Sequence, residues 1–153
     1  GLMVQKIDPT VELVAIEIEK DYIKRFKLRS IYKKVLNISA TSLIQPKYLD
    51  VNFDVVMIGD TLEHLRKSDG IDVLHFLVYR CRWILIEFPC RYIQNKVDGY
   101  ASEAHVSVWT EDDFTHFERT KMYIKNAQRF IVLRGYLERS ISTKQIEQAL
   151  KSV

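Results

Sequence analysis

Asp60, Glu63 and His64 fall within five positions of one another, directly after the apolar run Phe53-Asp54-Val55-Val56-Met57-Ile58. A run of that kind, broken only by Asp54, is the pattern of a strand buried on both faces in a parallel sheet. The polar groups then stand at the strand's carboxyl end, where open α/β sheets bind their ligands. An imidazole titrates near neutral pH, so His64 is a candidate general base for an attacking hydroxyl or amine. Its competing role is structural, a ring tucked under the next helix and bonded to backbone. Glu63 is expected to point elsewhere. His105 and Trp109 precede a helix start at Thr110 and are expected to pin a long connection against the body. A zinc site built from His64, His75, His105 and Cys90 would need four scattered ligands without a short pair motif, so no metal is expected.

These residues need elements to position them. Val11 to Ile16 reads as an apolar strand ending in Glu17-Ile18-Glu19, and Lys20 to Lys34 as a helix with Tyr22, Ile23, Phe26 and Ile31 at turn-like spacing. That helix is strongly basic; the charge suits either a phosphate-contacting face or a solvated surface, and no aromatic platform or glycine-rich loop accompanies it. Val35 to Ile38 is a short strand leading into the small polar run Ser39-Ala40-Thr41-Ser42. After Phe53 to Ile58 come a helix over Ile71 to Arg80, begun after Asp69-Gly70, and a buried strand Trp83 to Phe88 closed by Pro89. Residues 90–109 lack periodicity, and a connection of that length is suspect unless it is functional. Thr110 opens a helix by its cap preference. Thr120 to Lys125 and Arg129 to Tyr136 are two strands at hairpin spacing, and Ser142 to Gln145 resembles a capping box before a last helix, Gln145 to Ser152. Strands and helices in alternation predict an α/β fold: a doubly wound, mostly parallel sheet with a C-terminal antiparallel hairpin.

At 153 residues and 47% hydrophobic, the chain fits one domain over residues 1–140 with a helix over 141–153. No apolar run approaches the roughly 18 residues of a membrane span, and the start lacks the order of a signal peptide, so a soluble cytoplasmic protein is expected. Cys81 and Cys90 flank a strand that would hold them roughly 30 Å apart, so they are expected as free thiols. A formal charge of +3 does not by itself imply a nucleic-acid partner, which stays a weakly supported alternative.

Glu17 after an apolar strand, FDVVMIGDTLEHL at 53–65, WILIEFP at 83–89 and EAHVSVWTEDDF at 103–114 together resemble the class I methyltransferases that use S-adenosylmethionine. More narrowly, the chain is similar to methyltransferase domains of the small-molecule type, whose fourth strand runs into a Leu-Glu-His-Leu turn. The similarity spans about Val11 to Tyr136 and implies a Rossmann-like fold with S-adenosylmethionine as cofactor. It places Glu17 where the family accepts both ribose hydroxyls, although Glu17 as a loop cap and Glu19 as the acid are the alternatives. It places Ser39 and Ala40 beside the adenine, where the family more often has an acid with a small residue. Gly59 and Asp60 fall beside the cofactor's methionine half, with Asp60 meeting an ammonium, meeting a substrate hydroxyl, or only capping the following turn. His64 and Asp60 are the candidate catalytic residues.

The family's first strand and glycine-rich loop should precede Gly1, and nothing in 1–153 replaces them. That makes the expected fold N-terminally incomplete, with exposed strand edges. One function reading is a methyltransferase whose acceptor, a small molecule or another group, the sequence leaves unidentified. The other is a non-catalytic module of the same fold that completes its sheet with another chain, a second copy included.

Overall fold

Apolar stretches of three to nine residues alternating with amphipathic ones build the layers of this molecule, whose computed structural model describes residues 8–137. Among them are the strands β1 (Val14–Ile16), β2 (Lys34–Leu36), β3 (Phe53–Gly59), β4 (Cys81–Pro89), β5 (Arg119–Lys125) and β6 (Gln128–Arg134). Helix α1 (Lys20–Arg25) lies between β1 and β2, and α2 (Lys67–Val78) between β3 and β4. The expected turns over Gly1 to Lys6, the capping box, the last helix and the boundary at residue 140 lie outside the described residues.

β1 and β2 pair in parallel as one two-stranded sheet, and a second sheet has the order β3-β4-β6-β5. Parallel pairing of β3 with β4 sets Gly59 opposite Glu87. β6 runs antiparallel to both β4 and β5, which is the expected terminal hairpin. Its two-residue turn, Asn126-Ala127, has φ of 52° and 63°, the positive angles that match the right-handed twist of a tight hairpin.

The core lies between the second sheet and α2. Ile58, Ile84, Ile86 and Phe88 on the sheet form one cluster with Val73, Leu74, Leu77 and Val78 of the helix, and Leu43 and the partly buried Ile16 tie the smaller sheet to it. Leu74, Ile84 and Phe88 are fully buried, each contributing roughly 1.5–3 kcal/mol. β3 departs from expectation: Val55 is 49% and Met57 65% exposed, so only one of its faces is packed. β3 ends its sheet, and β1 and β2 form a sheet of their own, so no described strand joins the two.

Two helices also differ from the sequence reading. α1 stops at Arg25 rather than Lys34, because Lys27 takes a left-handed conformation (φ 51°) and a 3-10 turn over Leu28–Ser30 redirects the chain into β2. α2 starts at Lys67, before Asp69-Gly70 rather than after it. Gly70 is not a break. A Cβ there would stand 2.6 Å from Cζ2 of Trp109, so glycine lets the helix lie against the indole.

Candidate functional site

The carboxyl ends of β3 and β4 carry the acidic part of the site. Asp60 leaves β3 with φ 41°, and its amide donates to the Glu87 carbonyl at 3.1 Å. A positive φ is uncommon outside glycine and best tolerated by Asp or Asn. The Asp60 carboxylate accepts from Gln128 Nε2 at 3.1 Å, which ties it to β6. Leu62–His64 then forms a 3-10 turn anchored by Leu62, which is 1% exposed.

That anchor decides where Glu63 goes. The side chain was expected to point away; it is instead 3% exposed, and neither carboxylate oxygen accepts a hydrogen bond of normal geometry. Burial first, then the nearby charges of Asp60 and Glu87, push its pKa up to about 7, and its own backbone amide offsets part of this. Glu87 moves in the same direction, through burial and Asp60. A lone acid inside WILIEFP was the available signal for Glu87, and the sequence reading gave it no role.

Residues 91–109 close over this turn. The Glu63 carbonyl accepts from the amides of Val106 (2.8 Å) and Ser107 (3.1 Å), and the Leu62 carbonyl from Trp109 Nε1 (2.9 Å) and Ser107 Oγ (3.1 Å). Trp109 thus pins the connection, with its ring 2% exposed. His64 Nδ1 lies 3.2 Å from the Ala104 carbonyl, and His105 Nδ1 lies 2.8 Å from the Tyr92 carbonyl. The two imidazoles meet edge to face at 4.8 Å between centroids. One ligand-capable atom from each of Glu63, His64 and His105 lies within 4.8 Å of the others. His75 is elsewhere, against Phe117. The scattered four-ligand set is therefore not what assembles; Glu63 with two of its histidines is.

The same connection also reaches the other turn. Glu17 follows β1, and one of its carboxylate oxygens accepts from the Glu19 amide at 2.7 Å, so it does cap the loop, as its alternative reading had it. Asn37 Nδ2 donates to the carbonyls of Glu17 and Ile18 at 2.9 and 2.8 Å. Ser102 Oγ donates to Glu19, Tyr100 to Asp21 at 2.7 Å, and Arg25 pairs with Asp98 at 3.1 Å. Ser102 and Ala104 are two residues apart, at most about 7 Å of chain. The turn after β1 and the turn after β3 are therefore held at one end of the molecule. Ser39 caps the 3-10 turn Ala40–Ile44, its Oγ accepting from the Thr41 amide at 3.3 Å.

No family model matches the sequence, and no curated protein matches it. Solved structures do match in shape. The N-terminal domain of EvdMO1 with SAH bound superposes at a TM-score of 0.52 and 15% identity, over 90% of this chain and 69% of that one. HI0767 of Haemophilus influenzae, assigned as a methylase, gives 0.53 and 16% over 89% of this chain and 80% of its own. The small RNA methyltransferase HEN1 gives 0.51 and 12% over 84% of this chain and 21% of its own. The fold is the Rossmann-like methyltransferase fold. Within it, the acidic end of β3 and β4 and the Glu17 turn occupy the carboxyl-end rim at which such sheets bind ligands. No helix among the described residues is long and apolar enough to cross a membrane.

Proposed function

We propose that this chain transfers a methyl group from S-adenosylmethionine to a small-molecule acceptor in the cytoplasm. The observation that carries the reading is the connection 91–109, which contacts Glu19 through Ser102 and His64 through Ala104 and so gathers two acidic turns at one rim. EvdMO1, of the same fold, has been crystallised with SAH, and also in the presence of SAH and D-fucose.

The residues at the rim fit the cofactor in part. Glu17 spends one oxygen on the Glu19 amide, which leaves the other for a ribose hydroxyl. A Cβ added to Gly59 would meet nothing within 4 Å, so the space beside the end of β3 is open to the cofactor's methionine half. Asp60 offers a carboxylate there for an ammonium. Ser39 has its hydroxyl committed to Thr41, and so flanks the adenine with Ala40 by contact rather than by a free acceptor.

When bound, the cofactor supplies an electrophilic methyl on a sulfonium. What the chain does is position the acceptor in line with it, exclude water and take up a proton. His64 donates Nδ1–H to Ala104, so its Nε2 is the atom free to receive the acceptor's proton, with Asp60 close by in sequence to orient the incoming group.

The test is calorimetry with S-adenosylhomocysteine on this chain and on a version extended upstream of Gly1. Micromolar binding by either supports the reading, and silence from both removes it. The break between the two sheets favours a second reading, a binding module that takes a strand into that gap from another chain. A monomer that unfolds cooperatively without a partner would exclude it.

A further inference from the structure

We propose that Glu63, His64 and His105 form a binding site for a divalent transition-metal cation. Donor atoms around such an ion stand roughly 3–3.5 Å apart at bond lengths of about 2.0–2.2 Å. The three donors already lie within 4.8 Å of one another, so small side-chain rotations close the set.

Three further observations point to the ion. Glu63 is 3% exposed, and neither of its oxygens accepts a hydrogen bond of normal geometry, which is costly for a carboxylate unless a cation or a proton neutralises it. Both imidazoles have Nδ1 facing a backbone carbonyl, which can only accept, so the proton sits on Nδ1 in each ring. A neutral ring held in that way presents its lone pair at Nε2, the arrangement in which protein imidazoles bind metals. Finally, a crevice of about 10 Å³ beside Glu63 and His105 has room on the scale of a single water or ion; Arg91 also lines it, and His64 borders the cluster from outside that crevice.

One carboxylate with two imidazoles suits Zn²⁺ or Fe²⁺, Mn²⁺ less well because it prefers oxygen donors, and Mg²⁺ and Ca²⁺ least. Asp60 and Glu87 add negative charge that favours any cation there. With three protein donors, the ion keeps a position for an oxygen. If the methyltransferase reading holds, that oxygen would be the acceptor's hydroxyl, whose pKa the ion would lower; with His64 Nε2 taken up as a ligand, the base role given to it above would pass to solvent water, which would carry the released proton away. The cation site itself does not rest on that reading.

The test is calorimetry with ZnCl₂ and with MnCl₂ on the tag-free full chain after EDTA treatment. One site per chain is expected, weakened at least ~10-fold in Glu63→Gln and in His105→Gln and unchanged in His75→Gln. Nitrogen NMR of the histidines provides the check that needs no variant: zinc should move the Nε2 signals of His64 and His105 only. Absence of stoichiometric binding, wild-type affinity in Glu63→Gln, or a shift confined to other histidines would overturn the proposal. Zinc binding without S-adenosylhomocysteine binding leaves the site standing and removes the enzyme reading; the reverse result sinks the site and spares the enzyme.

Discussion

Glu63 is the buried carboxylate of the rim, 3% exposed. Its carboxyl is raised from 4.5 to about 7 in the folded chain, mainly by burial. The folded state then holds a proton that the unfolded state has lost, so stability falls as pH rises from about 4.5 to about 7 and levels off above. In EDTA, melting followed by circular dichroism should show this loss, on the order of 1–3 kcal/mol, and Glu63→Gln should flatten it. A wild-type profile that is flat or rises over that window would show the carboxylate to be compensated. Glu17→Ala should weaken S-adenosylhomocysteine binding by about 1–3 kcal/mol, the scale of lost charge-assisted hydrogen bonds. Unchanged affinity with Glu17→Ala, and a loss with Glu19→Ala, would reassign the acid.

At the scale of elements, the contact between α2 and the connection 91–109 sets the geometry of the rim. Gly70 lies in the helix because the Trp109 ring occupies the space of its side chain. Alanine is about 1 kcal/mol better than glycine in a helix interior, yet a Cβ 2.6 Å from the indole forces one of them to move. Gly70→Ala is therefore expected to lower stability by about 1–3 kcal/mol, the cost of overpacking, as measured by urea unfolding. A more stable variant would mean that Trp109 yields easily and does not pin the connection. The apolar spacing starts the helix after Asp69-Gly70; the tertiary contact that accommodates Gly70 inside it involves a residue 39 positions further on. Likewise the basic stretch after Lys20 has helical spacing as far as Lys34, but the chain must be in β2 by that residue, and Lys27 turns left-handed to get it there.

At the scale of the whole molecule, the two sheets share a core through Ile16 and Leu43, and among the described residues no strand pairing crosses the break. β1 has three residues and one hydrogen-bonded neighbour, so its amides should exchange early. Hydrogen exchange should show β1 and β2 opening well before β4 and β6, and a version extended upstream through one more apolar strand should slow exchange in both β1 and β3. Equal protection in the two versions would show that the added segment does not enter the break.

The order of the strands in the chain, the α/β alternation, the terminal hairpin and the place of Glu17 and Asp60 directly after β1 and β3 were legible in the sequence. Each depends on local periodicity or on a residue's place relative to the end of its own strand, and both are properties of neighbours along the chain. What only the tertiary structure decided was the state of Glu63, its meeting with His64 and His105, and the one-sided burial of β3. Those outcomes depend on which distant segment lies against a side chain: the Leu62 anchor turns Glu63 inward, and the connection 91–109 brings His105 back across 42 residues to meet it. Periodicity carries no information about such a return, because burial and charge pairing are set by the packed neighbours rather than by the sequence spacing.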